Sequence, residues 1–68
     1  MARNDARKHY RTAKAIISCN RVHSGEFVAV EFSHDADNGV AWYLVTATEH
    51  GPIEPVAYPE HHLTGFCL

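Results

Sequence analysis

Alternation of apolar and polar positions marks the middle of the chain as β-structure. Residues 26–33 run E-F-V-A-V-E-F-S, which places Val28, Val30 and Phe32 on one face of a strand. Residues 40–48 are the most strand-like segment, because aromatic and β-branched residues dominate them. Two neighbouring strands are therefore predicted here.

Turn signals separate these strands from each other and from a preceding one. Asn38-Gly39 is the strongest short hairpin signal in the chain, because both residues tolerate a positive φ. Ser24-Gly25 is a second turn signal and predicts a further strand over 16–23. An antiparallel three-stranded meander over 16–48 follows.

A helix is predicted before the meander, over about 5–15. Ala6, Tyr10, Ala13 and Ile17 recur at spacings of four, three and four, which is the period of one helical face. Neighbouring β-branched residues weaken helix propensity, so the change to a strand is placed near Ile16.

Three prolines interrupt the C-terminal segment and exclude a central strand there, since each removes a backbone donor. They are Pro52, Pro55 and Pro59. A short edge strand over 53–58, one helical turn near 61–63 and a last strand or tail over 65–68 are expected.

These elements predict a small α+β fold: an N-terminal basic helix and an antiparallel sheet of three to five strands. An SH3-like small β-barrel is the alternative, because a meander with a kinked, proline-rich end can close in that way. The length of 68 residues indicates a single domain. Its parts are a basic arm or helix over 1–15, the meander over 16–48 and a Pro/His-rich segment over 49–68.

Apolar residues lie on both faces of the predicted meander, and one helix covers only one of them. An uncovered face bearing Phe27, Tyr43 and Val45 would be an interaction site. A folded-back tail, a homodimer or a docking surface for another protein would each cover it.

Charge is strongly segregated, although the net charge is only −2. All six basic residues lie within the first 21 positions, where Asp5 is the only acid, so this segment carries +5. The remaining residues contain seven acids and no Lys or Arg, which amounts to −7. Such asymmetry indicates a charged partner, or pairing of the basic helix with the acidic sheet within one chain.

The six histidines and two cysteines raise the question of a metal-stapled domain, which stays a further alternative. No C-x-x-C or H-x₃₋₅-H spacing is present. Residues 35–39 lack the glycine and glutamate positions of a calcium loop. We therefore assign no metal ligands and no cofactor. Cys19 and Cys67 are expected to be reduced thiols, with a single disulfide as the less favoured option.

An enzyme is not expected, because the chain has no nucleophile elbow and no glycine-rich phosphate loop. The longest apolar runs are far shorter than a membrane-spanning helix requires. With no secretory signal evident, a cytoplasmic protein is expected.

No family is recognisable from these residues, so two hypotheses rest on charge and aromatic content. The first is a non-enzymatic regulator or inhibitor that docks on a larger protein, with nucleic-acid-processing machinery as one candidate target by analogy of class alone. Small acidic proteins of mobile elements, anti-CRISPR proteins among them, have this size and charge character. The residues expected to bind this partner are Glu26, Glu31, Asp35, Asp37, Trp42 and Tyr43.

The second hypothesis is a nucleic-acid-binding accessory module that uses the basic arm. Cations on or near one element meet phosphates, and their contribution depends on salt. The expected contacts are Arg3, Arg7, Lys8, Arg11 and Lys14.

Overall fold

The chain folds as an antiparallel β-sheet in the computed structural model, which describes residues 9–68. Its strands are β1 (Thr12–Ala15), β2 (Phe27–Asp35), β3 (Ala41–Thr48), β4 (Gly51–Pro59) and β5 (Leu63–Cys67). One turn of 3-10 helix, Glu60–His62, links β4 to β5. The order in the sheet is β4-β3-β2-β1-β5, so the first and last of these strands are neighbours.

The predicted N-terminal helix is wrong where the structure tests it. Thr12–Ala15 is a strand, and residues 5–8 of the prediction lie outside the described residues. Ala13 and Ala15 are buried whereas Thr12 and Lys14 are exposed, which is a period of two. Pairing of β1 with both β2 and β5 supplies long-range hydrogen bonds that outweigh a weak helix propensity.

The α+β fold class is therefore corrected to a nearly all-β fold, since residues 9–68 contain no α-helix. The SH3-like small barrel is the alternative that needs no helix. In the described part of the chain, hydrogen bonds leave the sheet open, because β4 and β5 lie at its two ends.

The hairpin predicted at Asn38-Gly39 is confirmed, and it joins β2 to β3. Gly39 adopts a φ of +84°, which glycine tolerates without strain. The Asn38 side chain accepts a hydrogen bond from the Val40 N–H at 3.1 Å. The strand register of the hairpin is thereby fixed close to its turn.

Residues 16–26 form a loop rather than the predicted strand over 16–23. The loop folds back on the sheet and places Val22, which is 0% exposed, in the core. Cys19 and Val22 exchange two backbone hydrogen bonds of 2.9 Å across a tight turn. The Tyr58 hydroxyl donates a hydrogen bond to the Ile17 carbonyl at 2.8 Å and ties the loop to β4.

The core lies on one face of β2, β3 and β4. Val30, Val45 and Val56 align across the three strands, and so do Phe32, Tyr43 and Tyr58. Residues that lie opposite each other in a sheet share a face. Tyr43 and Val45 are therefore buried with β2's inward side chains, and only Phe27 of the predicted apolar patch is exposed.

The proline-rich segment is an edge strand, as predicted, although longer than 53–58. This segment is β4, at one end of the sheet. At an edge, a proline position without a backbone N–H can face away from the neighbouring strand, so no ladder hydrogen bond is lost. The predicted turn near 61–63 and the last short strand are also present, at Glu60–His62 and Leu63–Cys67.

Replacement of Tyr58 by Phe is expected to lower the free energy of unfolding by about 1 kcal/mol, because one hydrogen bond to the loop is lost. Chemical denaturation measures this difference. Tyr10→Phe is the matched control, since Tyr10 is only half-buried and packs on Phe66 through its ring. Equal stability of Tyr58→Phe and the wild type would show that the bond does not hold the loop.

The same tyrosine predicts a loss of stability at alkaline pH. Burial raises the pKa of the Tyr58 phenol above its ordinary value, and the nearby charges of Cys19 and Glu26 add to this effect. The raised pKa means that stability is fully present below about pH 10 and falls as pH rises through the folded-state pKa. Denaturation curves across this range should show a smaller fall for Tyr58→Phe; an identical fall would contradict the assignment.

Candidate functional site

The clearest candidate site is on the outer face of β3 and β4, opposite the core. Trp42 and Pro59 pair across these strands, and Leu44 pairs with Ala57 in the neighbouring row. The Trp42 and Leu44 side chains are half-buried, so part of each meets solvent. Pro59 is buried, so we call the other three residues, Trp42, Leu44 and Ala57, the Trp42 surface.

His34 on β2 extends this surface, and its imidazole lies parallel to the Trp42 indole. The His34 and Trp42 rings are stacked, with planes 4° apart and centroids 6.3 Å apart. The two residues are partners in the β2–β3 ladder, so the stacking follows from the register. The His34 ring therefore lies on one side of the Trp42 indole, and the groove described next borders the same indole.

An apolar groove of about 230 Å³ borders Trp42. Its lining residues come from the β1–β2 loop, β3, β4 and the 3-10 turn: Ile17, Cys19, Trp42, Ala57, Tyr58, Pro59 and His62. The Tyr58–Ile17 hydrogen bond holds the loop at this position. The groove therefore exists only because distant segments of the chain meet around β4.

Acidic side chains border the site on the β2–β3 hairpin. Glu31 pairs with Leu44 and Asp35 pairs with Ala41, while Asp37 lies in the turn. All three carboxylates belong to exposed residues. Trp42 and these three acidic residues belong to one hairpin, but Glu31 shares the outer face with Leu44 whereas Asp35 pairs with the inward Ala41.

Two of the predicted partner-binding residues are not available on this surface. Tyr43 is 1% exposed and packs edge-on against Phe32 in the core, with ring centroids 5.8 Å apart. Its position opposite Phe32 turns it inward, which the alternation pattern of β3 alone does not reveal. Glu26 is 8% exposed and contacts its own chain.

The Glu26 carboxylate links two loops. It accepts a hydrogen bond from the His23 N–H at 3.1 Å, and its other oxygen lies 3.3 Å from His50 Nε2. His23 Nδ1 lies 3.7 Å from the same carboxylate. Both imidazoles are largely exposed to solvent, so the partly buried hydrogen bond from the His23 N–H is the main contact of this carboxylate. Glu26 is therefore a stabilising residue of the β1–β2 loop.

The cations predicted to bind nucleic acid are only partly covered by the structure. Arg3, Arg7 and Lys8 lie outside the described residues. Arg11 and Lys14 are both exposed, and Lys14 Nζ lies 5.7 Å from the centroid of the Phe27 ring. These two positions are on the β1 side of the sheet, away from the Trp42 surface.

Groups of metal-ligating residues and long apolar helices are two further features that the structure addresses. Within residues 9–68, no three His, Cys, Asp or Glu side chains form a group suited to a metal ion. Cys19 and Cys67 are free thiols, and both are exposed. Over the same range, no helix is long and apolar enough to cross a membrane.

Sequence reasoning missed the groove residues contributed by the loop and by β4. The helical spacing predicts a helical face for Ile17, and the sequence pattern marks Pro59 only as a strand breaker. The sequence signal for these residues is the Tyr58-Pro59 pair at the end of a predicted strand. A tyrosine buried at that position needs an acceptor for its hydroxyl.

Replacement of Glu26 by Ala is expected to lower the free energy of unfolding by about 1–3 kcal/mol, because a hydrogen bond to a buried carboxylate is lost. Glu54→Ala is the matched control, since Glu54 is an exposed carboxylate on β4. Thermal or chemical denaturation measures both. If the two variants lose the same stability, Glu26 does not hold the loop.

Comparison of the chain with protein-family models, curated proteins and solved structures finds no match. The burial, contacts and charges of its own residues therefore carry the inference of a function. The Trp42 surface and its acidic border are the strongest of these features.

Proposed function

We propose that this protein is a non-enzymatic binding protein that docks on a larger protein through the Trp42 surface and thereby regulates or inhibits it. One observation carries the proposal: a partly exposed tryptophan lies between an apolar groove and exposed carboxylates. This combination matches the anatomy of protein interfaces, which have an apolar, aromatic centre and a polar rim.

Trp42 is the proposed anchor. Tryptophan is among the residues that contribute most to binding when a partner desolvates them. Its ring lies parallel to the His34 ring, with the two centroids 6.3 Å apart. The groove beside it offers an apolar recess for a side chain of the partner.

The acidic border favours a partner with a basic surface. Glu31, Asp35 and Asp37 would meet Lys and Arg side chains, which increases the association rate and selects against acidic partners. Basic grooves are characteristic of proteins that bind nucleic acid. We therefore propose nucleic-acid-processing machinery as the target, and inhibition by occupation of its basic groove. The analogy with anti-CRISPR and other mobile-element inhibitors is one of class.

Replacement of Trp42 by Ala is expected to weaken binding by at least about 30-fold, since truncating a central anchor costs about 2 kcal/mol or more. Affinity capture with mass spectrometry identifies the partner, and calorimetry with the purified partner measures the affinity. Phe27→Ala is the control, because Phe27 is an exposed aromatic residue away from the Trp42 surface. Unchanged affinity of folded Trp42→Ala would contradict the proposed anchor.

Neutralising the acidic border tests the charge of the partner. The triple variant Glu31→Gln, Asp35→Asn, Asp37→Asn should slow association by about tenfold at low salt, with little difference at high salt. Stopped-flow kinetics measures this effect, and Glu54→Gln is the control carboxylate on β4. Equal association rates for the triple variant and the wild type at low salt would exclude a basic partner surface.

A further inference from the structure

A second exposed surface lies on the outer face of β1, β2 and β5, at the other end of β2 from the acidic border. Thr64, Lys14 and Phe27 align across these three strands, with β1 in the middle. All three are exposed, and Phe27 has 61% of its surface accessible. We call this row the Phe27 surface.

The Phe27 ring is held in place although it is exposed. Its backbone lies in the β1–β2 ladder, and its N–H donates a hydrogen bond to a Glu49 carboxylate oxygen at 2.8 Å. Lys14 Nζ lies 5.7 Å from the ring centroid, within the range of a cation–π contact. The result is an aromatic face of defined position with an ammonium group beside it.

Charge complementarity indicates what this surface binds. Lys14 supplies an exposed ammonium group within the row itself. Arg11 is exposed immediately before β1. The Glu49 carboxylate accepts the Phe27 N–H and keeps its negative charge, and the two cations Lys14 and Arg11 outnumber it at this row.

We propose that the Phe27 surface binds single-stranded nucleic acid, with a base stacked on the Phe27 ring and with phosphates near Lys14 and Arg11. Aromatic stacking combined with cations that follow the backbone is the usual basis of such binding. A single strand is favoured over a duplex, because duplex bases are paired and their faces are covered by their neighbours. This activity is separate from the proposed docking through the Trp42 surface and does not depend on it.

Fluorescence anisotropy of the full-length protein with labelled oligo(dT) and oligo(U) of about twelve nucleotides tests the proposal. Phe27→Ala and Phe27→Leu should each weaken binding by about tenfold, while Phe27→Trp should retain it, because the π-face rather than apolar area is required. Lys14→Gln should lower the slope of log K against log salt by about 0.7.

Matched variants separate this surface from other parts of the chain. Arg21→Gln removes an exposed cation from the β1–β2 loop and should change oligonucleotide affinity much less than Lys14→Gln. Trp42→Ala should leave oligonucleotide affinity unchanged, so failure of one proposed surface is distinguishable from failure of the other. Circular dichroism verifies that each variant is folded.

Three outcomes would overturn the proposal. The first is absence of oligonucleotide binding at low salt, and the second is full affinity in Phe27→Ala. The third combines two results: poly-glutamate displaces the oligonucleotide, and Phe27→Leu binds the oligonucleotide with the same affinity as the wild type. Together these results would identify an acidic protein segment as the occupant. Loss of binding in Phe27→Leu with retention in Phe27→Trp would support base stacking.

Discussion

The hydrogen bond from the Tyr58 hydroxyl to the Ile17 carbonyl is the contact on which the arrangement of the site depends. Tyr58 is almost fully buried, and a buried hydroxyl needs a partner to offset the loss of water. The carbonyl that satisfies it belongs to the β1–β2 loop, 41 residues earlier in the chain. The bond therefore fixes the loop over β4, keeps Val22 in the core and forms one wall of the groove beside Trp42.

The sequence predicted those elements whose signals are local. Alternation identified β2 and β3, the Asn38-Gly39 turn joined them, and the prolines placed β4 at an edge. β1 was assigned to a helix because its small residues, Ala13 and Ala15, fit either period. Only its pairing with β2 and β5 distinguishes the two, and that pairing depends on residues far away in the chain.

The residues of the candidate site were likewise predictable only where local sequence signals place them. Trp42 and the carboxylates of the hairpin are together because they belong to adjacent strands whose turn the sequence identifies. The inward position of Tyr43 depends on register, including a bulge between Phe32 and His34, and no local pattern specifies that bulge. The fold-back of Glu26 onto the His23 N–H depends in turn on the loop conformation.

The two surfaces also explain how opposite charges coexist in so small a chain. Phe27 begins β2 and Asp35 ends it, and nine extended residues separate their positions by about 27 Å along the strand. This distance exceeds the Debye length of about 8 Å at physiological salt, but Glu31 of the acidic border lines one surface depression together with Arg11, so the two charged regions meet near the middle of β2. The net charge of −2 is thus an average over two regions. β2 thus carries an exposed aromatic residue beside Lys14 at its beginning and acidic residues from Glu31 to its end, and the charges nearest to each surface set which partner it attracts.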